Sequence, residues 1–267
     1  MKKYTNNKNS PNISKKIIWG CIVLRLTVLG CYGPYPAAGQ NCSGYLLQDD
    51  EVNVLLDCGN GVLSRLRYFC QPWELTAVIL SHLHSDHLSD LMILRYALQM
   101  QEEQHASALP LQVYAPPQPE EEYNRLTYKQ YLQSRPLSAG TALSFGSMRF
   151  TFIKGVHGVP NYVITVTARG KKIVYSGDTE FFPGLTAAAQ GADLFLCEAN
   201  YLKSDLQQGK VNHLAAFQAA AVAKEAEVKR LVLTHHNPER DPRLALAEAQ
   251  AIFPDTELAH AGSLYYL

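Results

Sequence analysis

Four side chains that commonly bind metals fall within six residues, directly after a run of apolar side chains. His82, His84, Asp86 and His87 follow residues 75–80, which have the length and composition of a buried strand. The cluster therefore lies in a loop at a strand end, where a rigid scaffold commonly displays reactive groups. Imidazole and carboxylate groups are the ligands that zinc and similar divalent metals prefer. The sequence thus predicts a fold that is organised around a metal site.

Three further polar residues stand just after predicted strands, far along the chain. His157 follows a strand at 148–154, Asp178 one at 171–176, and His235 one at 230–234. One histidine or one Gly-Asp turn at a strand end is a weak signal by itself, and His236 competes with His235. In this order after the dense cluster, the three residues together indicate that distant strand ends converge on one metal centre.

The dense cluster resembles the His-x-His-x-Asp-His signature of the metallo-β-lactamase superfamily, and the resemblance runs from about residue 24 to the C-terminus. Within that superfamily the chain is most similar to the ribonuclease Z-like branch of phosphodiesterases. The resemblance implies an α/β fold, a four-layer αββα sandwich of two packed mixed sheets with helices outside and two metals at one edge. It also implies that residues 24–267 form a single hydrolase domain.

The resemblance further implies an assignment of the ligands. His82, His84 and His157 would hold one metal, Asp86, His87 and His235 would hold the second, and Asp178 would bridge both; His235 is preferred to His236 because it is the first histidine after its strand. Two zinc ions per chain are the expected cofactors, with manganese or mixed occupancy as the alternative. The chemistry expected of such a pair is attack by a shared hydroxide, whose parent water has a pKa of roughly 7.

Three residues beside the ligands have further expected roles. Asp57, in Leu-Leu-Asp-Cys-Gly, would accept hydrogen bonds from ligand histidines and the cluster loop, although a plain turn residue fits the sequence equally well. Glu198 and His213 lie in segments that resemble two later ribonuclease Z motifs, with Cys197 in place of His and Leu214-Ala215 in place of Ser-Thr. The carboxylate would orient the imidazole, which would protonate the leaving oxygen. Asp86, Glu198 and His213 are the candidate catalytic residues.

The substrate is expected to be small. Ribonuclease Z carries a long arm that grips tRNA between the ligand histidine and the bridging aspartate, whereas residues 158–177 leave room only for two strands. The leading hypothesis is a dinuclear zinc phosphodiesterase for small phosphodiesters or nucleotides, such as cyclic phosphates or short RNA ends. The alternatives are a lactone, ester or thioester hydrolase, a ribonuclease Z-type tRNA 3′-processing endonuclease, and a metal-binding module without turnover.

Composition supports this interpretation. Residues 1–23 hold five lysines and no acid, so the rest of the chain carries 19 basic against 24 acidic residues, which argues against an extended nucleic-acid surface. Residues 1–23 resemble a leader and are expected to be disordered or to follow a misassigned start. Six cysteines without a regular spacing indicate buried thiols of a cytoplasmic protein. No membrane segment is expected, and a homodimer is one assembly that the resemblance allows.

Local patterns predict most of the remaining elements. They indicate strands at 24–29, 44–48, 51–56, 111–115, 162–168 and 192–197, and helices after residue 61, around 91–98 and at 184–190. A further helix is predicted at 120–132. Asn212 is a candidate cap for a helix with Leu214, Phe217, Ala221 and Val222 on its apolar face, and Asp241-Pro242 should start a last helix that reaches Phe253.

Overall fold

The computed structural model describes residues 23–50, 52–104, 110–209 and 212–267, and for 102–104 the backbone alone. The predicted leader at 1–23 thus lies, except for residue 23, outside the described residues. Fourteen strands form two seven-stranded sheets. The first sheet has the order β14-β1-β2-β3-β4-β5-β6, with β1 Arg25–Gly30, β2 Gly44–Asp49, β3 Val52–Leu56, β4 Ala77–Ile79, β5 Leu111–Ala115, β6 Leu132–Pro136 and β14 Leu264–Tyr266.

The second sheet has the order β13-β12-β11-β10-β9-β8-β7. Its strands are β7 Ala142–Phe145, β8 Met148–Lys154, β9 Tyr162–Ala168, β10 Lys171–Tyr175, β11 Leu194–Glu198, β12 Leu231–Thr234 and β13 Thr256–Leu258. Strands β10 to β13 run parallel to one another, whereas β7 to β10 alternate in direction. In the first sheet, β3 to β6 run parallel to one another, whereas β14, β1, β2 and β3 alternate in direction. Both sheets are therefore mixed, as the resemblance implies.

Helices cover the outer face of each sheet. They are α1 Val62–Leu66, α2 Ser85–Leu88, α3 Leu91–Gln104, α4 Glu120–Asn124, α5 Pro183–Ala189, α6 Lys203–Gln207, α7 Ala216–Glu225 and α8 Arg243–Gln250. One apolar cluster lies between the sheets, a second lies under α1 and α3, and a third lies under α5, α7 and α8. Three buried layers of apolar contact are what an αββα sandwich requires, and the predicted fold class is confirmed. No helix among the described residues has the length and apolar character needed to cross a membrane.

Two local predictions were wrong. The helix predicted at 120–132 ends at Asn124, because Leu132 begins β6 and pairs in parallel with Leu111 at the edge of the first sheet. Asn212 has φ of +76° and is no helix cap; α7 starts at Ala216, where Gln218 Oε1 accepts from the N–H of Ala215 at 3.0 Å.

The apolar face assigned to α7 and the bounds of α8 also need correction. Ala221 is exposed, and the buried face of α7 consists of small residues that let the helix lie close to the sheet: Ala216, Ala219, Ala220, Val222 and Ala223. Helix α8 begins one residue after Pro242 and ends at Gln250, so it does not reach Phe253. Asp241 accepts from the N–H of Arg243 at 2.9 Å, so it serves the helix start as predicted.

Candidate metal centre

The ends of six strands meet at one edge of the sandwich. Strands β3 and β4 run parallel, so Asp57 and the histidine-rich loop leave the first sheet on the same side. Strands β8, β10, β11 and β12 share one direction in the second sheet, and their ends carry His157, Asp178, Glu198 and His235. Since each of these side chains stands at or just after the carboxyl end of its strand, the fold alone brings them together.

The first ligand group combines the cluster loop with the end of β8. His82 Nε2 and His157 Nε2 each lie 3.1 Å from His84 Nδ1, and Asp178 Oδ2 lies 3.7 Å from His82 Nε2. One ligand atom from each of these four residues falls within 4.8 Å of the others. His84 has extended backbone angles directly before α2, so it and His82 can face the same centre, as their spacing predicts.

The second ligand group combines α2 with the end of β12. His235 Nε2 lies 3.1 Å from Asp86 Oδ2 and 3.2 Å from Asp178 Oδ2, and His87 Nε2 lies 3.4 Å from Asp178 Oδ1. Asp86, His87, Asp178 and His235 again offer atoms within 4.8 Å of one another. Asp178 belongs to both groups, which is the arrangement expected of a bridging carboxylate.

The protonation and hydrogen bonding of these residues suit a cation. Burial lowers the pKa of His82 well below its usual value, and it also lowers the pKa of His84 and of His157, so these rings offer lone pairs. His157 Nδ1 donates to the carbonyl of Asn212 at 2.8 Å, which leaves Nε2 unprotonated toward His84. His87 Nε2 is buried without a hydrogen-bond partner. Imidazole nitrogens that face one another without a proton between them are the donors expected at a site for divalent metals. The buried His87 Nε2, which has no hydrogen-bond partner, fits the same interpretation.

Asp57 supports the centre from behind. Its carboxylate is fully buried and accepts from the N–H and hydroxyl of Ser81 at 2.7 and 2.8 Å, from His87 Nδ1 at 2.7 Å and from Tyr175 Oη at 2.7 Å. The bond to Nδ1 fixes the His87 tautomer, so that Nε2 faces the ligand group. Of the two roles that the sequence leaves open for Asp57, the contacts match the supporting role.

The buried Glu198 and the half-buried His213 form a pair beside the candidate ligands. His213 Nδ1 lies 3.1 Å from both carboxylate oxygens of Glu198, which also accepts from the N–H of Thr179 at 2.5 Å. The His213 ring stacks on His235, with centroids 5.2 Å apart and planes 22° from parallel. Burial opposes charge on the ring, but the Glu198 carboxylate dominates and raises the pKa of His213 to about 9. These two residues and His235 also offer atoms within 4.8 Å of one another, so the pair adjoins the second ligand group.

The geometry separates His235 from its rival and adds two residues that sequence patterns missed. His236 Nε2 donates to the carbonyl of Ala259 at 3.0 Å, away from the ligands. Asn200 Nδ2 donates to the carbonyls of Gly33 and His235 at 2.8 and 3.1 Å and so holds the ligand loop. Gly33 lies against the ligand, since a Cβ there would be 1.7 Å from His235 Nε2. Gly33 lies near no motif, and Asn200, two residues after Glu198, is of a type that the motif comparison did not single out.

Comparisons with known proteins agree with this geometry. A family profile described as "Beta-lactamase superfamily domain" matches residues 52–236. The chain is 33% identical over 212 residues to "Probable metallo-hydrolase YhfI" of Bacillus subtilis (strain 168), covering 79% of this chain and 86% of that one. It is 28% identical over 301 residues to "Ribonuclease Z" of Brevibacillus brevis, covering 88% and 94% of the two chains.

Solved structures show the same relationship. The crystal structure of the metallo-β-lactamase fold protein YhfI from Bacillus subtilis superposes with a TM-score of 0.87 at 31% identity, covering 92% of this chain and all of that one. The short form of human tRNase Z superposes with a TM-score of 0.73 at 21% identity over 90% of this chain and 98% of that one, which shows a shared fold alone. The chain therefore belongs to the β-lactamase superfamily and is a metallo-hydrolase of the metallo-β-lactamase fold.

Proposed function

We propose that this protein is a dinuclear zinc-dependent phosphodiesterase for small phosphodiesters or nucleotides, such as cyclic phosphates or short RNA ends. The observation that carries the proposal is the pair of buried Glu198 and half-buried His213, which lies against the ligand groups with Nδ1 of the ring 4.0 Å from Asp178 Oδ2. A metal centre that hydrolyses an activated acyl group has no need of a second proton donor at this position. Cleavage of a phosphodiester does, because its alkoxide leaving group is a poor one.

The ligand groups would be filled as their contacts suggest. His82, His84 and His157 would hold one zinc ion, Asp86, His87 and His235 the other, and Asp178 both. When bound, such a pair supplies positive charge for the phosphoryl oxygens and a water whose pKa falls to about 7.

The orientation of His213 decides what its ring can do. Because Nδ1 is engaged by Glu198, the nitrogen that can donate to substrate is Nε2. From a ring stacked on the ligand His235, this N–H can bind a phosphoryl oxygen and pass its proton to the leaving oxygen as the P–O bond breaks. Glu198, anchored by the N–H of Thr179 next to Asp178, keeps the ring in that orientation.

The preference for a small substrate rests on the segment between His157 and Asp178. Strands β9 and β10 with their short turn fill it, so it holds no arm that could grip a folded RNA. The excess of acidic residues outside residues 1–23 gives a long polyanion little electrostatic attraction. The five described cysteines are buried and free, which supports the cytoplasmic location that the sequence predicts.

The test is hydrolysis of bis(p-nitrophenyl) phosphate by metal-quantified, zinc-loaded protein. We expect His82→Ala to abolish this turnover. We expect His213→Ala to lower kcat about 10²- to 10⁴-fold for a 2′,3′-cyclic nucleotide, whose alkoxide leaving group needs a positioned proton donor, and far less for bis(p-nitrophenyl) phosphate, whose p-nitrophenolate does not. His260→Ala is the matched control, since His260 is exposed and outside both ligand groups. Full activity of His82→Ala would show that the assigned centre is wrong.

A lactone or thioester hydrolase would behave differently. In that case His213→Ala would leave acyl hydrolysis almost intact, and the wild-type protein would open lactones far faster than it cleaves phosphodiesters. A module without turnover would bind zinc and hydrolyse neither class. Processing of pre-tRNA faster than of small diesters would contradict the size preference.

A further inference from the structure

A cavity of about 520 Å³ opens beside His157 and is lined by residues 154–160. Its volume falls within the range of small-molecule sites. Among its lining residues, Lys154 carries a formal charge at one end, whereas Val156, Val159 and Pro160 present apolar surface. Val156 is 44% exposed, so apolar surface stands open to solvent next to a ligand histidine.

We propose that this cavity is a substrate subsite for phosphodiesters with an apolar, ring-bearing substituent and a second anionic group, which pairs with Lys154. The inference rests on the proposed phosphodiesterase function and deepens it, because it states what the non-reacting side of the substrate looks like. The scissile phosphate would lie at the metal centre, its ring against Val156 and Pro160, and its second anion at the lysine.

The wall of the cavity is held in place by contacts to other parts of the fold. The N–H of Gly155 donates to the carbonyl of Asn161 at 2.9 Å, and the N–H of Val156 donates to Thr179 Oγ1 at 2.9 Å. His157 is tied to Asn212 by the bond from Nδ1. The subsite therefore exists before substrate arrives, which reduces the ordering cost of binding.

Chain geometry limits the separation of the two residues that would face the anions. Lys154 and His157 are three residues apart, so their Cα atoms are at most about 10 Å from each other. A substrate with one sugar-sized ring between its two phosphate groups is compatible with that limit.

The charges around the cavity leave Lys154 available. Within the described part of the chain, Lys154 is exposed and takes part in none of the ion pairs. Glu180 is the acid that approaches this wall, through its N–H to the carbonyl of Val156 at 2.8 Å. Its carboxylate accepts from the N–H of Asn212 at 3.1 Å, and no ion pair joins it to Lys154.

The experiment compares two chromogenic esters that differ only in the second anion. They are the p-nitrophenyl ester of thymidine 5′-phosphate and its 3′-phosphorylated counterpart, and the measured quantity is the ratio of their kcat/KM values. We expect the wild-type protein to favour the phosphorylated ester about tenfold or more at low salt, mainly through KM. Lys154→Met should bring the ratio close to one, whereas Lys224→Met, at an exposed lysine of α7, should keep the wild-type ratio.

A second variant tests the cavity itself. Gly158 lines it, a Cβ added there would meet no atom within 4 Å, and its φ is not left-handed, so Gly158→Phe can fill the cavity without backbone strain. We expect this change to lower the ratio as well, with metal content measured alongside. A wild-type ratio near one, or an unchanged ratio in Lys154→Met, overturns the subsite while leaving the phosphodiesterase proposal intact. Hydrolysis of neither ester by the wild-type protein counts against the proposed function instead.

Discussion

Replacing Asp57 by asparagine should weaken metal binding by removing one charge behind the ligands. Oδ2 accepts three of the four hydrogen bonds, from Ser81 Oγ, His87 Nδ1 and Tyr175 Oη, and Oδ1 accepts the Ser81 N–H. The asparagine oxygen would keep the three bonds, so its NH₂ group would face the Ser81 N–H, a backbone donor that cannot turn away. The change thus loses one bond to a charged acceptor and leaves a buried donor unsatisfied.

Each part of that loss has a known size. A hydrogen bond to a charged group contributes about 1.5–3 kcal/mol, and an unsatisfied buried donor costs about 1–3 kcal/mol. We therefore expect the free energy of unfolding of the metal-free protein to fall by about 2.5–6 kcal/mol, which corresponds to a Tm lower by about 5–24 °C for a chain of this length. The affinity for zinc should fall about 10- to 100-fold, because His87 loses the partner that orients it.

A matched control separates stability from metal binding. Asp49 is also a buried carboxylate, at the opposite end of β3 from the metal centre, where it accepts from Arg169 Nε at 2.9 Å and from Ser147 Oγ. Asp49→Asn should lower Tm without changing zinc affinity. Thermal unfolding followed by circular dichroism and zinc titration against a chromogenic chelator measure the two effects. Equal zinc affinities of the two variants would refute the supporting role of Asp57.

Two further pairs of substitutions test the ligand geometry by metal stoichiometry. Asp178→Asn should reduce the bound zinc from about two per chain to less than one, because Asp178 belongs to both ligand groups, whereas His157→Ala should leave about one. Gly33→Ala should lose the second zinc, since its Cβ would fall 1.7 Å from His235 Nε2, whereas Gly158→Ala adds a methyl group in open space and should retain both. Two zinc ions bound to Gly33→Ala would contradict the close packing of Gly33 on the ligand.

The sequence predicted which side chains the fold brings together because each lies at a strand end that local patterns can find. The apolar runs before His82, Asp178 and His235 mark buried strands, and parallel neighbours deliver their ends to one edge. Sequence spacing says nothing about contacts between distant loops. Sequence patterns therefore did not predict the roles of Gly33 and Asn200, which depend on contacts between two loops.

The errors in secondary structure have a similar origin. Residues 120–132 have helical composition, but Leu132 gains more from joining the first sheet than from continuing a helix. Strands β7, β13 and β14, which local patterns did not predict, are short edge or near-edge strands whose pairing partners define them. Helix α7 begins at Ala216, four residues after Asn212. The residues between them form the loop that places His213 beside Glu198.

The candidate metal centre lies on the seam between the two sheets, and side-chain hydrogen bonds also join the sheets along this seam. Tyr45 Oη and Thr234 Oγ1 lie 2.6 Å apart, and Tyr175 Oη donates to Asp57 across the same boundary. The apolar cluster between the sheets adds burial along the whole interface. In a structural zinc site the metal contributes the folding energy and every ligand position is closed. When the fold holds the ligand residues in place before the metal binds, these residues need not surround the cation fully. A coordination position can then stay open for water or substrate. The hydrogen bonds across the seam thus favour a catalytic role for the metals over a purely structural one.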